Sequence, residues 1–259
     1  MSAKEIVVKP ISSTDANKVV QSCHYSGKGA INSQLNFGVF LNGRCGGAMQ
    51  FGPSLQKSHI QHLVEDTGWN DFLELNRMAF ADWLPRNSES RALSVAMRLI
   101  RKHYPNIEWV ISFADGTQCG DGTIYRASGF SLTGIKQNTT MWQMPDGFVF
   151  ADVGLRASSA NIRQKVGYKL GEPFSQFAER VGAKRVPGYM LRYLYFLNPA
   201  ARSRLTVPIL PFSEIQRRGA GMYKGQPIKR GESIDNDASG LQPEEGGVNP
   251  TSPLHSSAK

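Results

Sequence analysis

Asp115 and Tyr125 are the residues of this sequence whose types and positions best suit acid–base chemistry. Asp115 follows the apolar run of residues 109–114, which is typical of a buried strand. Sites in open α/β sheets lie beyond the carboxyl ends of parallel strands, where a carboxylate can act as a base or bind a metal. A tyrosine hydroxyl can act as a general acid if it is held against the reacting atom. The alternatives are an aspartate that caps a helix or orders a loop, and an aromatic ring that only packs on the sheet.

Four further polar residues are candidates for contact with a substrate. His24 and Tyr25 follow the first predicted helix, and a histidine can act as a base or ligate a metal. A lone histidine is more often a surface or capping residue. Glu74 and Asn76 lie on one face of a predicted strand at residues 72–80, and either can hold a substrate. Glu74 can equally pair with one of the many arginines.

A polar segment before the main predicted helix is a candidate anion site. The first turn of a helix leaves backbone N–H groups free, and the helix dipole favours negative charge there. Two arginines flank this segment, and Asn87 or Ser88 is expected to cap the helix. The predicted cofactor-binding residues are Arg86, Asn87, Ser88, Ser90 and Arg91.

The elements that must position these residues alternate between strands and helices, which predicts an α/β (α+β) fold with a mixed sheet. The strand–helix–strand order from residue 72 to residue 113 predicts a right-handed crossover and parallel neighbouring strands. Asn42-Gly43 is a strong hairpin turn signal. The predicted strands are 5–10, 35–41, 46–51, 72–80, 107–113, 130–143, 148–153 and 189–197, and the predicted helices are 15–23, 60–70, 88–103, 123–127, 160–168 and 174–181.

The composition indicates a folded protein of the cytoplasm. The chain has 259 residues, of which 40% are hydrophobic, enough for a core. No apolar run approaches the roughly 18 residues of a membrane-spanning helix, and the first residues lack the apolar core of a signal peptide. Cys23, Cys45 and Cys119 lack CxxC spacing, which argues against a disulfide framework and against a thiolate zinc site.

The net charge of +9 is unevenly distributed and favours a polyanionic partner. Residues 156–205 contain ten basic and two acidic residues, whereas residues 231–259 contain one basic and five acidic residues. We expect a catalytic domain over residues 1–212, with basic DNA-binding elements at about 156–205, and a mostly disordered tail over residues 213–259. The predicted DNA contacts are Arg163, Lys165, Lys169, Lys184 and Arg185, interleaved with tyrosines that can stack on bases; the alternative is a solvated basic face with core tyrosines.

The order of these motifs resembles a known superfamily. Tyr125 lies four residues before Gly129-Phe130, at the end of a strand–loop–helix–strand–helix unit, and this resembles the cofactor-binding half of the N-acetyltransferase-type (GNAT) fold. Over about residues 20–200 the sequence is similar to one branch, the Mom DNA-modification proteins of Mu-like phages. The motifs that carry this second resemblance are His24-Tyr25, Glu74-Leu75-Asn76-Arg77, Leu84-Pro85-Arg86-Asn87-Ser88-Glu89-Ser90, Ser112-Phe113-Ala114-Asp115 and the ten-residue spacing from Asp115 to Tyr125.

The resemblance implies a fold and an activity. The fold is a GNAT-like mixed central sheet with flanking helices, plus a basic helical insertion and a disordered C-terminal tail. The activity is conversion of adenine in double-stranded DNA to N6-carbamoylmethyladenine, which protects phage DNA from host restriction enzymes. The protein is then phage-encoded and works in the cytoplasm of the bacterial host, with a homodimer as one candidate assembly. An iron requirement is associated with the family, with Asp115 and His24 as the implied ligands.

One departure from the superfamily leaves the donor open. In ordinary GNAT enzymes the loop before the main helix carries glycines that cradle the coenzyme A pyrophosphate, and these glycines are missing at residues 86–91. The donor is therefore acetyl-CoA or another small acyl or glycyl-type compound. By resemblance Tyr125 protonates a departing thiolate and Asp115 serves as a base. Two alternatives are an ordinary acetyltransferase acting on a protein or small-molecule amine, and a catalytically silent DNA-binding protein.

Overall fold

A mixed seven-stranded sheet organises the part of the chain that the structure describes. The computed structural model describes residues 2–24, 27–117, 119–152, 155, 163–164, 166–223 and 226–228. The strands lie in the order 7–10, 35–41, 44–52, 72–80, 109–115, 189–196 and 131–137. Within this sheet only the strands 72–80 and 109–115 run parallel to each other. Helices lie against the sheet, so the expected fold class is confirmed, including the parallel pair joined by the crossover helix.

Most elements lie near their predicted bounds, but the predicted helix at 60–70 is wrong: the helix there spans residues 57–61, and turns follow it. The strands are β1 (Val7–Pro10), β2 (Leu35–Leu41), β3 (Arg44–Gly52), β4 (Phe72–Phe80), β5 (Trp109–Asp115), β6 (Ser131–Gln137), β7 (Met141–Gln143), β8 (Val149–Ala151), β9 (Lys184–Arg185), β10 (Tyr189–Phe196), β11 (Met222–Tyr223) and β12 (Gln226–Pro227). The α-helices are α1 (Ser13–Cys23), α2 (Lys57–Gln61), α3 (Ser88–His103), α4 (Thr123–Ala127), α5 (Phe174–Val181) and α6 (Ser213–Arg217), and 3-10 helices span Ala3–Glu5 and Pro199–Arg204.

Local sequence explains where α1 begins and where the β2–β3 hairpin turns. Ser12 caps α1, because its hydroxyl accepts a hydrogen bond from the Asp15 backbone N–H at 3.1 Å. The β2–β3 hairpin turns at Asn42 and Gly43, which have φ values of 51° and 80°. Both residue types tolerate this left-handed conformation, so the predicted two-residue turn is confirmed.

Helix α3 packs one face on the sheet, but its first turn differs from the prediction. Ala92, Ala96 and Ile100 are fully buried in the main hydrophobic core. Asn87 precedes the helix in the left-handed region with a φ of 69°, and its side chain caps nothing. Ser88 is buried, and its hydroxyl donates to the Pro85 carbonyl at 2.6 Å. Asn87 is thus the N-cap residue, as expected, but it makes no side-chain capping hydrogen bond.

A β-bulge in β4 changes which side chains share a face. Gln50 in β3 pairs with Arg77, and Phe51 pairs with Leu75, so Asn76 is an extra residue. The bulge reverses the alternation beyond it, and Met78 packs against the main core together with Leu75. The strict alternation of faces that a regular strand would have over residues 72–80 is therefore interrupted at Asn76.

The insertion between β6 and β10 is not purely helical. A separate three-stranded sheet has the order β8-β7-β9, and α5 packs on it through its own aromatic cluster, which includes Phe150, Tyr168 and Phe177. The predicted long strand at 130–143 is therefore divided between two sheets. Of the predicted helix at 160–168, residues 163, 164 and 166 are helical, and residues 160–162 and 165 lie outside the described part of the chain.

The folded region extends past the predicted boundary at residue 212. Ile215 and Ala220 are fully buried and belong to the main core, and Met222 is 4% exposed. The predicted start of the tail at residue 213 is therefore too early. Residues 229–259 lie outside the described part of the chain.

Two further expectations concern helices and cysteines. None of the helices that the structure describes is long and apolar enough to cross a membrane. The three cysteines are free thiols.

Candidate active site

A large cleft opens where β4 and β5 separate. The two strands pair over only three residues each, from Phe72 opposite Trp109 to Glu74 opposite Ile111. Beyond these pairs the strands diverge, and the space between them belongs to a cleft of about 1750 Å³. A cleft of this size can hold a cofactor and an acceptor group together.

The cleft brings together most of the predicted site residues. Those that line it are His24, Glu74, Asn76, Arg86, Asn87, Ser90, Asp115 and Tyr125. Ser88 and Arg91 do not line it: Ser88 is buried, and Arg91 is exposed on α3. Tyr25 lies outside the described residues. Residues far apart in the sequence thus meet at the carboxyl end of β5, as expected for this type of sheet.

Asp115, the last residue of β5, is held by three hydrogen bonds. The Thr117 backbone N–H donates to its Oδ1 at 2.9 Å. The Asn138 side-chain amide donates to Oδ1 at 3.3 Å and to Oδ2 at 3.4 Å. These contacts fix the orientation of the carboxylate in the cleft, where it can act as a base toward a bound group.

Tyr125 lies on α4 with its ring packed between aromatic neighbours. Its ring centroid is 5.4 Å from that of Phe130 and 5.3 Å from that of Tyr193. Burial raises the pKa of Tyr125 to about 12. The phenol is therefore protonated at neutral pH, and it can donate a hydrogen bond or a proton but cannot act as a base.

Glu74 and Asn76 border the cleft where β4 leaves its partner. Burial raises the pKa of the Glu74 carboxyl, while the side chains of Ser54 and Asn76 and the charge of Arg77 oppose this shift. The Asn76 amide donates to the Pro53 carbonyl at 3.4 Å. Glu74 and Asn76 thus place two polar side chains in the wall of the cleft beside the bulge.

His24 follows α1 and is half-buried at the cleft wall. Burial, and then the nearby charge of Arg77, lower the pKa of His24 to about 4. The imidazole is therefore neutral at neutral pH. A neutral imidazole can orient a substrate through hydrogen bonds or serve as a ligand, but it is a weak base.

The start of α3 presents free backbone donors to the cleft. No hydrogen bond among the described residues reaches the backbone N–H of Glu89 or Ser90. Asn87 adopts the left-handed conformation that glycine favours, so the turn forms without a glycine. These N–H groups and the positive end of the helix dipole can hold an anionic part of a donor.

The sequence analysis missed one wall of the cleft, which the C-terminal segment forms. The residues from this segment that line the cleft are Ser213, Gln216, Arg217, Gly219, Gly221, Tyr223, Pro227 and Ile228. Gly120 pairs with Tyr223 in a β-bridge, and this joins the segment to the loop before α4. Only the apolar residues 215, 220 and 222 could have signalled this packing, and they are too few to give a periodic pattern.

Two more cleft residues, Cys119 and Arg126, were also missed. The Cys119 thiol donates to the Asp115 backbone carbonyl at 3.2 Å, and burial raises its pKa, so it is a poor nucleophile. Arg126 is paired with Asp121 at 3.0 Å. Arg126 therefore contributes a partly neutralised positive charge to the wall.

The described residues do not fit the iron site that the resemblance implies. His24 and Asp115 both line the cleft, but no group of three or more His, Cys, Asp or Glu side chains among the described residues is placed to hold a metal ion. A protein iron site ordinarily needs about three such ligands. We therefore assign no step to a metal.

The predicted DNA-binding residues belong to the insertion. Lys184 and Arg185 are exposed on β9, and the Arg185 guanidinium lies 5.2 Å from the centre of the Trp142 ring. Lys169 is exposed and Arg163 is half-buried, whereas Lys165 lies outside the described residues. These positions are compatible with a basic surface.

Two of the tyrosines that were expected to stack on bases are core residues. Tyr168 is 6% exposed and packs in the insertion, and Tyr193 is fully buried in the main core. Stacking by these two rings is therefore excluded. The same residue type fills a core when apolar neighbours surround it.

Comparison with solved structures finds partial matches to acetyltransferases. The ribosomal-protein-S18-alanine N-acetyltransferase from Escherichia coli aligns with a TM-score of 0.40 at 11% identity and covers 74% of this chain and 94% of its own. A GNAT family acetyltransferase from Elizabethkingia anophelis with acetyl-CoA bound aligns with a TM-score of 0.36 at 11% identity, covering 74% and 98%.

Sequence comparison gives a closer relationship. The methylcarbamoylase Mom of Escherichia phage Mu is 36% identical over 208 residues, which cover 80% of this chain and 82% of the phage Mu protein. The sequence model of the Mom protein family matches residues 5–214, so residues 215–228 of the cleft wall lie beyond the match. The match spans most of the chain and includes the strands and helices on both sides of the cleft. This chain belongs to the Mom protein family.

Proposed function

We propose that this protein is a phage DNA-modification enzyme that converts adenine in double-stranded DNA to N6-carbamoylmethyladenine. One observation carries the proposal: a single cleft joins the free helix start at Ser90 to the polar groups of His24, Glu74, Asp115 and Tyr125. A donor and an acceptor can therefore meet there. Membership of the Mom family, with a methylcarbamoylase as relative, supports DNA adenine as the acceptor.

The acceptor chemistry requires an enclosed site. The exocyclic N6 amine of adenine is a poor nucleophile because its lone pair is delocalised into the ring. In duplex DNA the base is also stacked and paired, so the enzyme must extrude it into a pocket at a cost of a few kcal/mol. The cleft of about 1750 Å³ is large enough for a base beside a donor.

Asp115 and Tyr125 divide the proton transfers. Forming a bond from N6 to carbon releases a proton, and the Asp115 carboxylate, held by Asn138 and the Thr117 N–H, accepts it. The buried Tyr125 phenol stays protonated, so it donates to the group that leaves the donor. Neutral His24 and the Glu74–Asn76 pair orient the base.

The product restricts the donor. Simple acetyl transfer would give an amide at N6, whereas the proposed product has a CH2 bonded to N6 and an amide beyond it. The carbamoylmethyl group also contains a nitrogen that an acetyl group does not supply, so the donor that balances is a small glycyl-type compound, whose C2H4NO group has the composition of CH2CONH2. The N–H groups of Glu89 and Ser90, with Arg86 and Asn87 beside them, hold its polar part.

The insertion holds the DNA backbone in this proposal. Exposed Lys184 and Arg185 on β9 can neutralise phosphates, and Lys169 adds a third exposed cation. Asn138 connects this side of the molecule to the cleft, because it lies between β6 and β7 and donates to Asp115. The proposed role in protection from restriction follows from modified adenines in the recognition sequences of host enzymes.

Mass spectrometry of nucleosides from plasmid DNA co-expressed with the protein tests the proposal. We expect deoxyadenosine carrying CH2CONH2 in place of one hydrogen, and we expect it to disappear in Asp115→Asn. The matched control is Asp146→Asn in the exposed β7–β8 turn, where the amide oxygen can still accept from the Phe148 N–H. This control should leave the modification unchanged.

Other outcomes identify the alternatives. A mass that fits N6-acetyl would mean ordinary acyl transfer onto DNA. Unmodified DNA from a folded protein that acetylates protein or small-molecule amines would favour an ordinary acetyltransferase. Salt-sensitive DNA binding without a modified nucleoside would favour a silent DNA-binding protein. Resistance of the plasmid to restriction enzymes with adenine in their sites tests the protective role separately.

A further inference from the structure

Ile31 and Leu55 are apolar side chains with almost no protein around them. Their exposed fractions are 105% and 95%, the highest among the large hydrophobic residues that the structure describes. Single exposed apolar residues are common on protein surfaces. Two that are fully exposed and carried on neighbouring loops need a more specific explanation.

The two side chains extend from loops that are joined to each other. Ile31 lies in the loop before β2, and Leu55 lies in the loop after β3. The Asn32 side-chain amide donates to the Pro53 carbonyl at 3.0 Å. The Gln34 backbone N–H donates to the Phe51 carbonyl at 2.7 Å. These contacts join the two loops into one apolar tip, which we define as Ile31 and Leu55.

The apolar tip lies at the acceptor rim of the cleft. The Pro53 carbonyl also accepts from the Asn76 amide at 3.4 Å, and the Ser54 side chain contacts Glu74. Asn76 and Glu74 line the cleft beside the diverging strands. The tip is therefore within a few residues of the place where an extruded base would be bound.

A buried polar network holds the first loop in place. Gln50 is fully buried in β3, and its Oε1 accepts from the Ala30 backbone N–H at 3.0 Å. Its amide donates to Asn17 at 2.9 Å. The Arg77 Nε donates to the Lys28 carbonyl at 2.9 Å. Because these hydrogen bonds hold the loop, it can keep its conformation when Ile31 inserts into a neighbouring molecule.

Positive charge flanks the apolar tip on the first loop. Lys28 is exposed and precedes Ile31 by three residues. The Lys57 ammonium of the second loop instead lies 4.6 Å from the centre of the Trp69 ring and donates to the Asn70 side chain at 3.4 Å. Phosphate groups lie on both sides of a base step, so a cation beside an apolar side chain matches the surface of duplex DNA better than that of an apolar protein.

We propose that Ile31 and Leu55 enter the DNA duplex as a wedge and occupy the space that the target adenine leaves when it is extruded into the cleft. Apolar side chains of this kind separate base steps in other DNA-bound proteins. An occupied gap prevents the base from returning to the stack, which favours the extruded state. The inference rests on the proposed function, since it requires DNA as the substrate.

Ile31→Ala/Leu55→Ala in the full-length protein tests the wedge. We expect the fraction of modified adenine in co-expressed plasmid DNA to fall about tenfold or more, because base extrusion loses its support. The matched control is Val7→Ala/Ile209→Ala, which removes exposed apolar side chains elsewhere and should change nothing; their exposed fractions are 57% and 39%. Ile31→Met/Leu55→Met should retain most of the modification.

A binding experiment separates a wedge from a plain contact. The probes are a duplex with 2-aminopurine next to an adenine, whose fluorescence rises on unstacking, and the same duplex with an abasic site opposite that adenine. Wild type should raise the fluorescence of the paired duplex, and the double Ala variant should not. The variant should regain most of its affinity on the abasic duplex, where pairing is already lost.

Four results would overturn the wedge. Equal fluorescence from variant and wild type means that the tip does not unstack DNA, and equal loss of affinity on both duplexes means an ordinary surface contact. A dimer in sedimentation that becomes a monomer in the double Ala variant means that the tip joins two copies. Equal modification of DNA by wild type and by the double Ala variant would contradict only the wedge. Unmodified DNA with the wild-type protein would contradict the proposed function itself.

Discussion

The Asn138 side-chain amide donates to both carboxylate oxygens of Asp115, at 3.3 Å and 3.4 Å. Asn138 is itself fixed, because its Oδ1 accepts from the Thr140 hydroxyl at 2.9 Å and from the Thr140 N–H at 3.1 Å. The proposed base is therefore oriented by a residue at the entrance to the insertion. A neutral amide orients the carboxylate without neutralising it.

Asn138→Ala should lower DNA modification by about tenfold, because Asp115 loses two hydrogen bonds that fix its orientation. The cost in the free energy of unfolding should be about 1.5–3 kcal/mol, the usual range for loss of hydrogen bonding to a charged group. Nucleoside mass spectrometry and urea unfolding measure the two effects. Unchanged modification in a folded Asn138→Ala protein would show that Asp115 needs no such support.

Tyr125→Phe should lower modification by about a hundredfold, the lower range for loss of a general acid or base. The ring contacts with Phe130 and Tyr193 remain, so the fold should stay intact. The ordinary pKa of 10.0 is raised to about 12. The unfolded chain thus loses this proton first, and the stability of wild type relative to the variant should decrease as pH rises from 10 towards 12. An unchanged product yield would remove Tyr125 from the proton transfers.

Lowering the pH should reduce the stability that the buried, neutral His24 contributes, whereas the contribution of Tyr125 is lost as pH rises. Burial lowers its pKa from 6.5 to about 4, so the stability due to the neutral imidazole is present above pH 6.5 and lost as pH falls towards 4. His24→Asn should therefore lose less unfolding free energy than wild type over this range. NMR titration of the imidazole measures the pKa of His24 directly, and a midpoint near 6.5 would contradict the buried environment.

Removal of the C-terminal wall should be far more damaging than removal of the residues beyond it. A chain that ends at residue 228 should keep its modification activity, whereas one that ends at residue 212 should lose it together with part of the main core. Ile215→Ala is the point test, since this residue is fully buried and its truncation should cost about 2–5 kcal/mol. Thermal unfolding and plasmid modification distinguish the variants. Full activity of the shorter chain would mean that the wall is dispensable.

Lys184→Ala/Arg185→Ala should weaken DNA binding uniformly across sequences. Each lost phosphate contact reduces the slope of log affinity against log salt by about 1, so the slope should fall by about 2. The control is Arg101→Ala/Lys102→Ala, two exposed cations at the C-terminal end of α3. A salt titration of DNA binding by both variants measures the two slopes. Equal slopes for both variants would show that charge alone, and not β9, attracts the DNA.

Much of the frame was predictable because its signals are local. The apolar period of α3 and the Asn42-Gly43 turn each specify an element from a few neighbouring residues. The parallel β4–β5 pair follows from the crossover rule. The meeting of Asp115 and Tyr125 in one cleft could therefore be expected before any coordinates.

The remaining features depend on contacts between distant residues. The bulge at Asn76 arises from pairing with β3, and no pattern within β4 reveals it. A tyrosine such as Tyr193 can either stack on a base or pack in a core. Only the placement of β10 between β5 and β6 determines that Tyr193 packs in the core. Ile215 and Met222 are scattered among polar residues, so their burial against the core leaves no periodic signal.

The cleft walls come from residues as far apart as Cys23 and Ile228, so the cleft is among the last features to form as the chain leaves the ribosome. A nascent chain that lacks the C-terminal wall has the sheet but no closed donor site. DNA modification can then begin only after synthesis has passed this segment. The late position of one wall sets a delay between translation and activity, which is absent from enzymes whose sites lie wholly within an early-folding unit.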